Sequence, residues 1–298
     1  MKMMLVPLDG SQASEAVLPV ATAVARAGGY EITLFSIWDV GLDDLMAANQ
    51  ERIRSLCERG VDYFRAYLRN LARELEADGV RCDLQVASGH PAAQILGAAS
   101  APGVDMVAMA TRGRRATEAG RRGSVADKVL RACSVPVLAV GPLTVLARQA
   151  ARKRPIRRIL VPLDGSPESE SSLPLALELA RGLGARVELL RVVAPFADQA
   201  APAGAEEHEP EIDAERQEEA RRYLQRVRAE HGDPIRETHV RGGSPRVEVR
   251  RFPEGAPVDL VVMASRSRHA AGLWSLGGVA DELIEGPVPV ILVSPPQT

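Results

Sequence analysis

The string LVPLDGS occurs at residues 5–11 and returns unchanged at 160–166, an offset of 155 (160 − 5). Leu18-Pro19 returns as Leu173-Pro174 at the same offset (173 − 18). VDMVAMATR at 104–112 is matched by VDLVVMASR at 258–266, and VAD at 125–127 by VAD at 279–281, both at 154 (258 − 104, 279 − 125). VPV at 135–137 returns at 288–290, at 153 (288 − 135). A near-constant offset across five landmarks marks duplication of a whole globular domain, since the period is far too long for a solenoid unit. The length of 298 residues suits two domains of about 150 residues each. The expected division is a first domain at 1–142, a linker at 143–156 and a second domain at 157–298. The bridging sequence GPLTVLARQAARKRPIRR is basic, with proline near both ends, as an exposed linker would be.

Inside each repeat, short apolar runs alternate with helical patterns. MMLVPLD and RILVPLD stop at turn residues, as buried parallel strands do. A helix capped by Ser11 or Ser14 is expected next, with Ala16, Val17, Val20, Ala21 and Val24 at helical spacing and Gly28-Gly29 as its end. YEITLFSIW and ARVELLRVV read as second strands. A longer helix with Tyr63, Phe64, Tyr67, Leu68, Leu71 and Leu75 on one face follows, matched by Ala220, Tyr223, Leu224 and Val227. VRCDLQVA, VDMVAMA and VPVLAV supply the remaining strands, separated by helices at PAAQILGAAS and SVADKVLRAC. Strand–helix alternation of this kind predicts an α/β fold, two tandem doubly wound domains with parallel strands covered by helices on both faces. Only the segment from Ala194 to Glu219 breaks the symmetry, and its Ala, Pro and Glu content predicts a solvated acidic loop over 198–219.

Composition closes several functional classes. Hydrophobic residues make up 46% and aromatics 3%, so the core must be aliphatic. A formal net charge of -2 gives no general attraction to nucleic acid or an anionic membrane. The basic run RVEVRRF at 246–252 lacks the interleaved aromatics of a nucleic-acid platform. No apolar run reaches the roughly 18 residues of a membrane span, and MKMMLVPLDG passes from one lysine into a strand without a signal-peptide h-region. Cys57, Cys82 and Cys133 have no metal-site spacing and read as reduced thiols. A cytoplasmic location is expected.

In open α/β sheets, ligands sit at the carboxyl ends of the strands where the strand order reverses. Asp9 and Asp164 end the first strand of each repeat. The loop ATRGRRATEAGRRGSV, residues 110–125, joins strand four to a helix and carries Gly113, Gly123, Ser124 and five arginines (112, 114, 115, 121 and 122) against Glu118. Glycines let a backbone approach a ligand closely, and a helix start at Gly123-Ser124-Val125 aims N–H groups and the positive dipole end at an anion. Such a loop fits phosphate, or equally a solvated basic turn. The Walker G-x-x-x-x-G-K-[ST] and dinucleotide G-x-G-x-x-G patterns are both absent. His90 precedes Pro91 at a loop-to-helix junction and reads as structural or exposed; Asp105 and Asp259 read as turn residues. His208, His231 and His239 show no ligand spacing, and Ser124 has no visible His or Asp partner for nucleophilic work.

The pattern G-x2-G-x9-G-[ST] after strand four, with V-P-x-D after strand one, resembles the ATP-binding branch of the universal stress proteins. The first repeat reads Ala110-x2-Gly113-x9-Gly123-Ser124, with only the leading glycine changed, and the resemblance spans essentially the whole chain. It implies strand order 3-2-1-4-5, which brings Asp9 beside the glycine loop. It further implies that Asp9 lies by the ribose and adenine, Pro7 and Leu8 line the base, and Ile37 meets the adenine. Ala110, Gly113, Gly123, Ser124 and Val125 would contact the phosphates of ATP; charge alone adds Arg112 and Arg114. Mg²⁺ would arrive on the phosphate oxygens, since nothing here forms a dedicated metal cage.

The second repeat reads Ala264-x2-Ser267-x9-Gly277-Gly278. Ser267 forfeits the positive φ open to a glycine, and Gly278 lacks the hydroxyl of Ser124. Asp164 and Val192 keep the strand-one and strand-two positions. One nucleotide-competent repeat and one degenerate repeat are therefore expected. Three functional readings stay open: an ATP-binding stress or signalling module with at most slow hydrolysis, an ATP-independent module for protein partners, and an enzyme acting on a nucleotide. The resemblance also implies pairing of VPVLAV with VPVILV as a pseudo-dimer within one chain, with homodimerisation of chains left open.

Overall fold

The computed structural model describes residues 2–39, 50–113, 122–150, 155–194, 210–265 and 277–294, which fall into two compact units, Met1–Val145 and Leu146–Thr298. The first unit runs β1 (Lys2–Pro7), α1 (Gln12–Glu15), α2 (Leu18–Gly28), β2 (Tyr30–Trp38), α3 (Gln50–Ala77), β3 (Cys82–Ser88), α4 (Pro91–Ala99), β4 (Val104–Ala110), α5 (Ser124–Ala132) and β5 (Val137–Val140), with α6 (Pro142–Ala150) at its end. The second runs β6 (Arg158–Pro162), α7 (Pro167–Glu170), α8 (Leu173–Leu183), β7 (Arg186–Val193), α9 (Pro210–His231), β8 (Ile235–Gly242), α10 (Pro245–Gly255), β9 (Leu260–Ala264), α11 (Gly277–Ile284) and β10 (Val290–Val293).

Within the first unit the strand order is β3-β2-β1-β4-β5, and within the second it is β8-β7-β6-β9-β10. The neighbouring strands are parallel, from Lys2↔Tyr30 in β1–β2 to Val107↔Val137 in β4–β5. The order reverses between β1 and β4, and correspondingly between β6 and β9. The core is aliphatic as composition requires: Met4, Leu5, Val6, Ile32 and Leu34 in the first unit and Ile159, Leu160, Val161, Leu189 and Leu190 in the second are almost wholly enclosed.

Several local outcomes differ from the sequence expectations, each for a physical reason. The helix after strand one is two helices: Ser11 caps α1 by accepting from Ser14 N–H, and the chain restarts at Leu18. Pro19 in the first turn of α2 has no N–H to continue the α1 ladder. Tyr63 points outward at 64% exposure, while Phe64, Leu68 and Leu75, on the strict i, i+4 and i+11 face of α3, are buried. The linker is helical at its start, with Pro142 opening α6 where a missing N–H costs nothing. Residues 210–219 of the acidic segment belong to α9, whose glutamates suit the positive end of a helix; 198–209 lie outside the described residues. Asp105 and Asp259 tie strand starts together: Asp105 Oδ2 accepts from Met3 N–H at 2.8 Å, and Asp259 Oδ2 accepts from Arg157 and Arg158 N–H at 2.9 and 3.0 Å.

Candidate functional site

The turn after β1 is built by the repeated string itself. Leu8 N–H still donates to Phe35 O at 2.8 Å, extending the β1–β2 ladder by one residue. Asp9 Oδ1 then accepts from Ser11 N–H at 3.0 Å and from the Ser11 hydroxyl, and Gly10 between them sits at φ +81°. A side chain would be strained at that angle. The second unit repeats this turn, with Asp164 Oδ1 accepting from Ser166 N–H and hydroxyl around Gly165 at φ +88°.

At the β1/β4 reversal this turn opens onto a cavity of about 280 Å³, close to the lower end of ligand clefts. Pro7, Leu8 and Asp9 line it from the β1 turn, and Ile37 lines it from β2. Ala110, Arg112 and Gly113 come from the loop after β4, and Gly123, Ser124 and Val125 from the start of α5. The fold thus gathers the residues singled out from the first repeat, except Arg114, which lies outside the described residues.

The roles of the two glycines differ from expectation. Gly113 is not at positive φ; it is small because a Cβ there would stand 3.2 Å from Asp9 Cγ and closer still to Asp9 Oδ2. Gly123 does not offer its N–H to a ligand, since that group donates to Thr111 O at 2.9 Å. The N–H groups of Ser124, Val125 and Ala126 remain without intrahelical acceptors, as at any helix start, and give the cavity an electropositive end.

Residues not identified from sequence complete the wall: Ser14, Asp39, Phe64, His90, Ala92, Ile95, Met109, Thr111 and Lys128. His90 is exposed, as expected of a junction residue, yet it also borders the cavity. Thr111 is fully buried, and its Oγ1 has no hydrogen-bond partner among the described residues; Arg112 Nε is buried and unpartnered in the same way. Both atoms are sealed from water, so they lie behind the cavity wall rather than on its surface. Beneath the turn, Tyr67 donates to Glu15 Oε1 at 2.8 Å, and burial followed by the Glu15 hydrogen bond raises its phenol pKa. Tyr223 and Glu170 reproduce the pair at 2.8 Å in the second unit.

The second unit keeps the turn and changes the cavity. Ala92 has Arg246 at the matching position (246 − 92 = 154), and that side chain lies across the start of α11. A Cβ on Gly278 would stand 2.7 Å from both Arg246 Cδ and Nε. Lys128 is matched by Glu282, which accepts from Arg246 Nη2 at 3.2 Å. Thr111 is matched by Ser265, whose hydroxyl is satisfied by Val293 O at 3.3 Å. A groove does open beside Asp164, but toward Arg191, Arg222, Tyr223 and Arg226 of the β7/α9 side; Val192, Ala264, Gly277 and Gly278 do not line it. Ser267 and Trp274 lie outside the described residues.

The family model described as the Universal stress protein family matches residues 1–141 and again 155–294. A curated universal stress protein of Methanocaldococcus jannaschii is 30% identical over 144 residues, 47% of this chain and 84% of its own. Universal stress protein YxiE of Bacillus subtilis is 30% identical over 146 residues, 46% of this chain and 97% of its own. A solved universal stress protein from Archaeoglobus fulgidus superposes with a TM-score of 0.70 at 22% identity, covering 98% of each chain.

Proposed function

This chain belongs to the universal stress protein family, and from that premise we propose that its first unit binds ATP while its second unit does not. The observation that carries the reading is the opening of the electropositive start of α5 onto the cavity at the β1/β4 reversal, beside Arg112 and Lys128. Phosphate oxygens are suited to this end as acceptors for the Ser124, Val125 and Ala126 N–H groups. Arg112 and Lys128 add positive charge on the same side. Pro7, Leu8 and Ile37 are the apolar residues that would take the base, and Asp9 the one that would accept from ribose hydroxyls; all four line the cavity. Mg²⁺ would travel with the triphosphate; Asp9 and Asp39 are the acidic side chains lining the cavity among the described residues, too few for a protein-built cage.

In this reading ATP acts as a conformational ligand that tunes contacts with protein partners. The second unit, with Arg246 and Glu282 across its helix start, supports the alternative role of a nucleotide-independent interaction module for that half alone. The test is to denature protein purified without added nucleotide and to identify the released small molecules by mass spectrometry, alongside melting curves with and without ATP. Co-purifying adenine nucleotide, or a melting temperature raised by ATP, is the expected result. Finding neither retained nucleotide nor a melting shift would overturn the proposal.

A further inference from the structure

The second unit carries a polar cluster that its sequence spacing hides. β7 and β8 pair in parallel with Glu188 opposite Glu237 and Leu190 opposite His239. Alternation puts Glu188, Glu237 and His239 on one face of the strands. Glu188 is 1% exposed at the centre of the group. One oxygen of each carboxylate is held by arginine: Arg158 Nη1 and Arg186 Nε stand 3.6 and 3.3 Å from Glu188 Oε1, and Arg186 Nη1 stands 3.7 Å from Glu237 Oε1. The other oxygen of each faces a single nitrogen. His239 Nε2 lies 3.4 Å from Glu188 Oε2 and 3.6 Å from Glu237 Oε2.

We propose that Glu188, Glu237 and His239 form a binding site for a divalent cation of the zinc class. The separations decide between two readings of the cluster. A hydrogen bond from an imidazole N–H to a carboxylate oxygen spans about 2.7–3.2 Å, and both contacts here are longer. Two ligands at ordinary zinc bond lengths of about 2.0–2.2 Å in tetrahedral array stand about 3.4 Å apart, which is the spacing found. All three ligand atoms lie within 4.8 Å of one another. His239 Nε2 is buried and has no hydrogen-bond partner among the described residues. The ring is positioned by an edge contact with Phe252, centroids 4.8 Å apart.

Three protein ligands and a partly open side match the catalytic or exchangeable type of zinc site, with water completing the coordination. His239 is 28% and Glu237 45% exposed, which gives the ion a way in. The arginines fix the carboxylates but add positive charge, so binding should be on the order of micromolar rather than the far tighter binding of closed structural sites. The site belongs to the second repeat alone, since Thr33, Asp83 and Gln85 hold the matching positions in the first. Glu188 also lies five residues before Val193 at the carboxyl end of β7, about 16 Å along the strand. Its occupancy is therefore separable from that of any nucleotide.

The experiment uses the full chain stripped with EDTA and titrated calorimetrically with Zn²⁺, with Co²⁺ absorption spectra reporting coordination. His239→Gln and Glu237→Gln alter partly exposed side chains, and His90→Gln serves as a histidine control. One saturable zinc per chain is expected, weakened about tenfold or more by His239→Gln and by Glu237→Gln, and unchanged by His90→Gln. If either variant melts below the parent without metal, the low-energy bands of tetrahedral Co²⁺ in the parent decide in its place. Absence of saturable binding, parent-like zinc binding by His239→Gln, or an octahedral Co²⁺ spectrum would overturn the assignment.

Discussion

Thr111 carries the sharpest residue-scale prediction, because its hydroxyl is buried with nothing among the described residues to bond. Thr111→Val removes that hydroxyl at nearly constant shape, so the unliganded protein should keep or slightly raise its stability, by up to about 1 kcal/mol. ATP affinity should stay within about twofold, since the hydroxyl is sealed from the cavity. Ser265→Ala in the second unit should instead cost about 1 kcal/mol of stability, again leaving ATP binding alone, because the Ser265 hydroxyl is already paired. Urea titration and calorimetry on both variants separate the two effects. Cys82 gives a second case. Burial, with Glu76 nearby, pushes its thiol up to about 11. A raised pKa means less thiolate at any pH below it, about a hundredfold less at pH 8 than in an ordinary cysteine. Iodoacetamide at pH 8 should therefore leave Cys82 intact in the native protein, with Cys133, also raised by burial, equally slow; peptide mass mapping checks this. The place of Gly113, Gly123 and Ser124 on the cavity was legible from their types and from the loop they sit in, but the roles of the two glycines were not, since the contact of Gly113 with Asp9 and the bond of Gly123 to Thr111 depend on the fold. Thr111 was not legible either, since nothing in a sequence tells a bonded threonine from an unbonded one.

At the scale of elements, α3 holds an apparent inconsistency. Gly60 sits inside a 28-residue helix, where glycine costs about 1 kcal/mol against alanine. The Trp38 ring explains it: a Cβ on Gly60 would stand 2.5 Å from Cε2 and 2.7 Å from Cε3. Trp38 in turn packs edge-on against Phe64, which lines the cavity. Gly60→Ala should destabilise the protein by about 1 kcal/mol or more, since overpacking of about 1–3 kcal/mol exceeds the propensity gain. Denaturant unfolding that finds the variant more stable would contradict this packing account. Strand and helix alternation was visible in the sequence because buried parallel strands are short apolar runs ended by turn residues. The split between α1 and α2 was visible only in part, since Val17 and Val20 keep helical spacing across the break that Pro19 enforces. The cluster of Glu188, Glu237 and His239 could not be seen at all, because it depends on which residues of β7 and β8 come side by side.

At the scale of the whole molecule, two repeats share a turn and differ in what the turn faces. Asp9 and Asp164 make the same hydrogen bonds to Ser11 and Ser166, so duplication preserved the local structure of LVPLDGS. Across from Asp9 stand Gly113, the start of α5 and Lys128. In the second unit, Arg246 and Glu282 occupy the helix start, and a glycine stands where the first unit has Ser124. The erosion of the second motif could be read directly from Gly278, but its filling by Arg246 from a different helix could not. The central claim is that one repeat binds ATP and the other does not. Calorimetric titration of ATP into the full chain, its Gly113→Ala variant and its Arg246→Ala variant tests it most directly. The account predicts one ATP per chain, binding weakened about tenfold or more by the alanine Cβ pressed onto Asp9, and parent-like binding by Arg246→Ala. Two equivalents in the parent chain, or an affinity indifferent to Gly113→Ala, would contradict it.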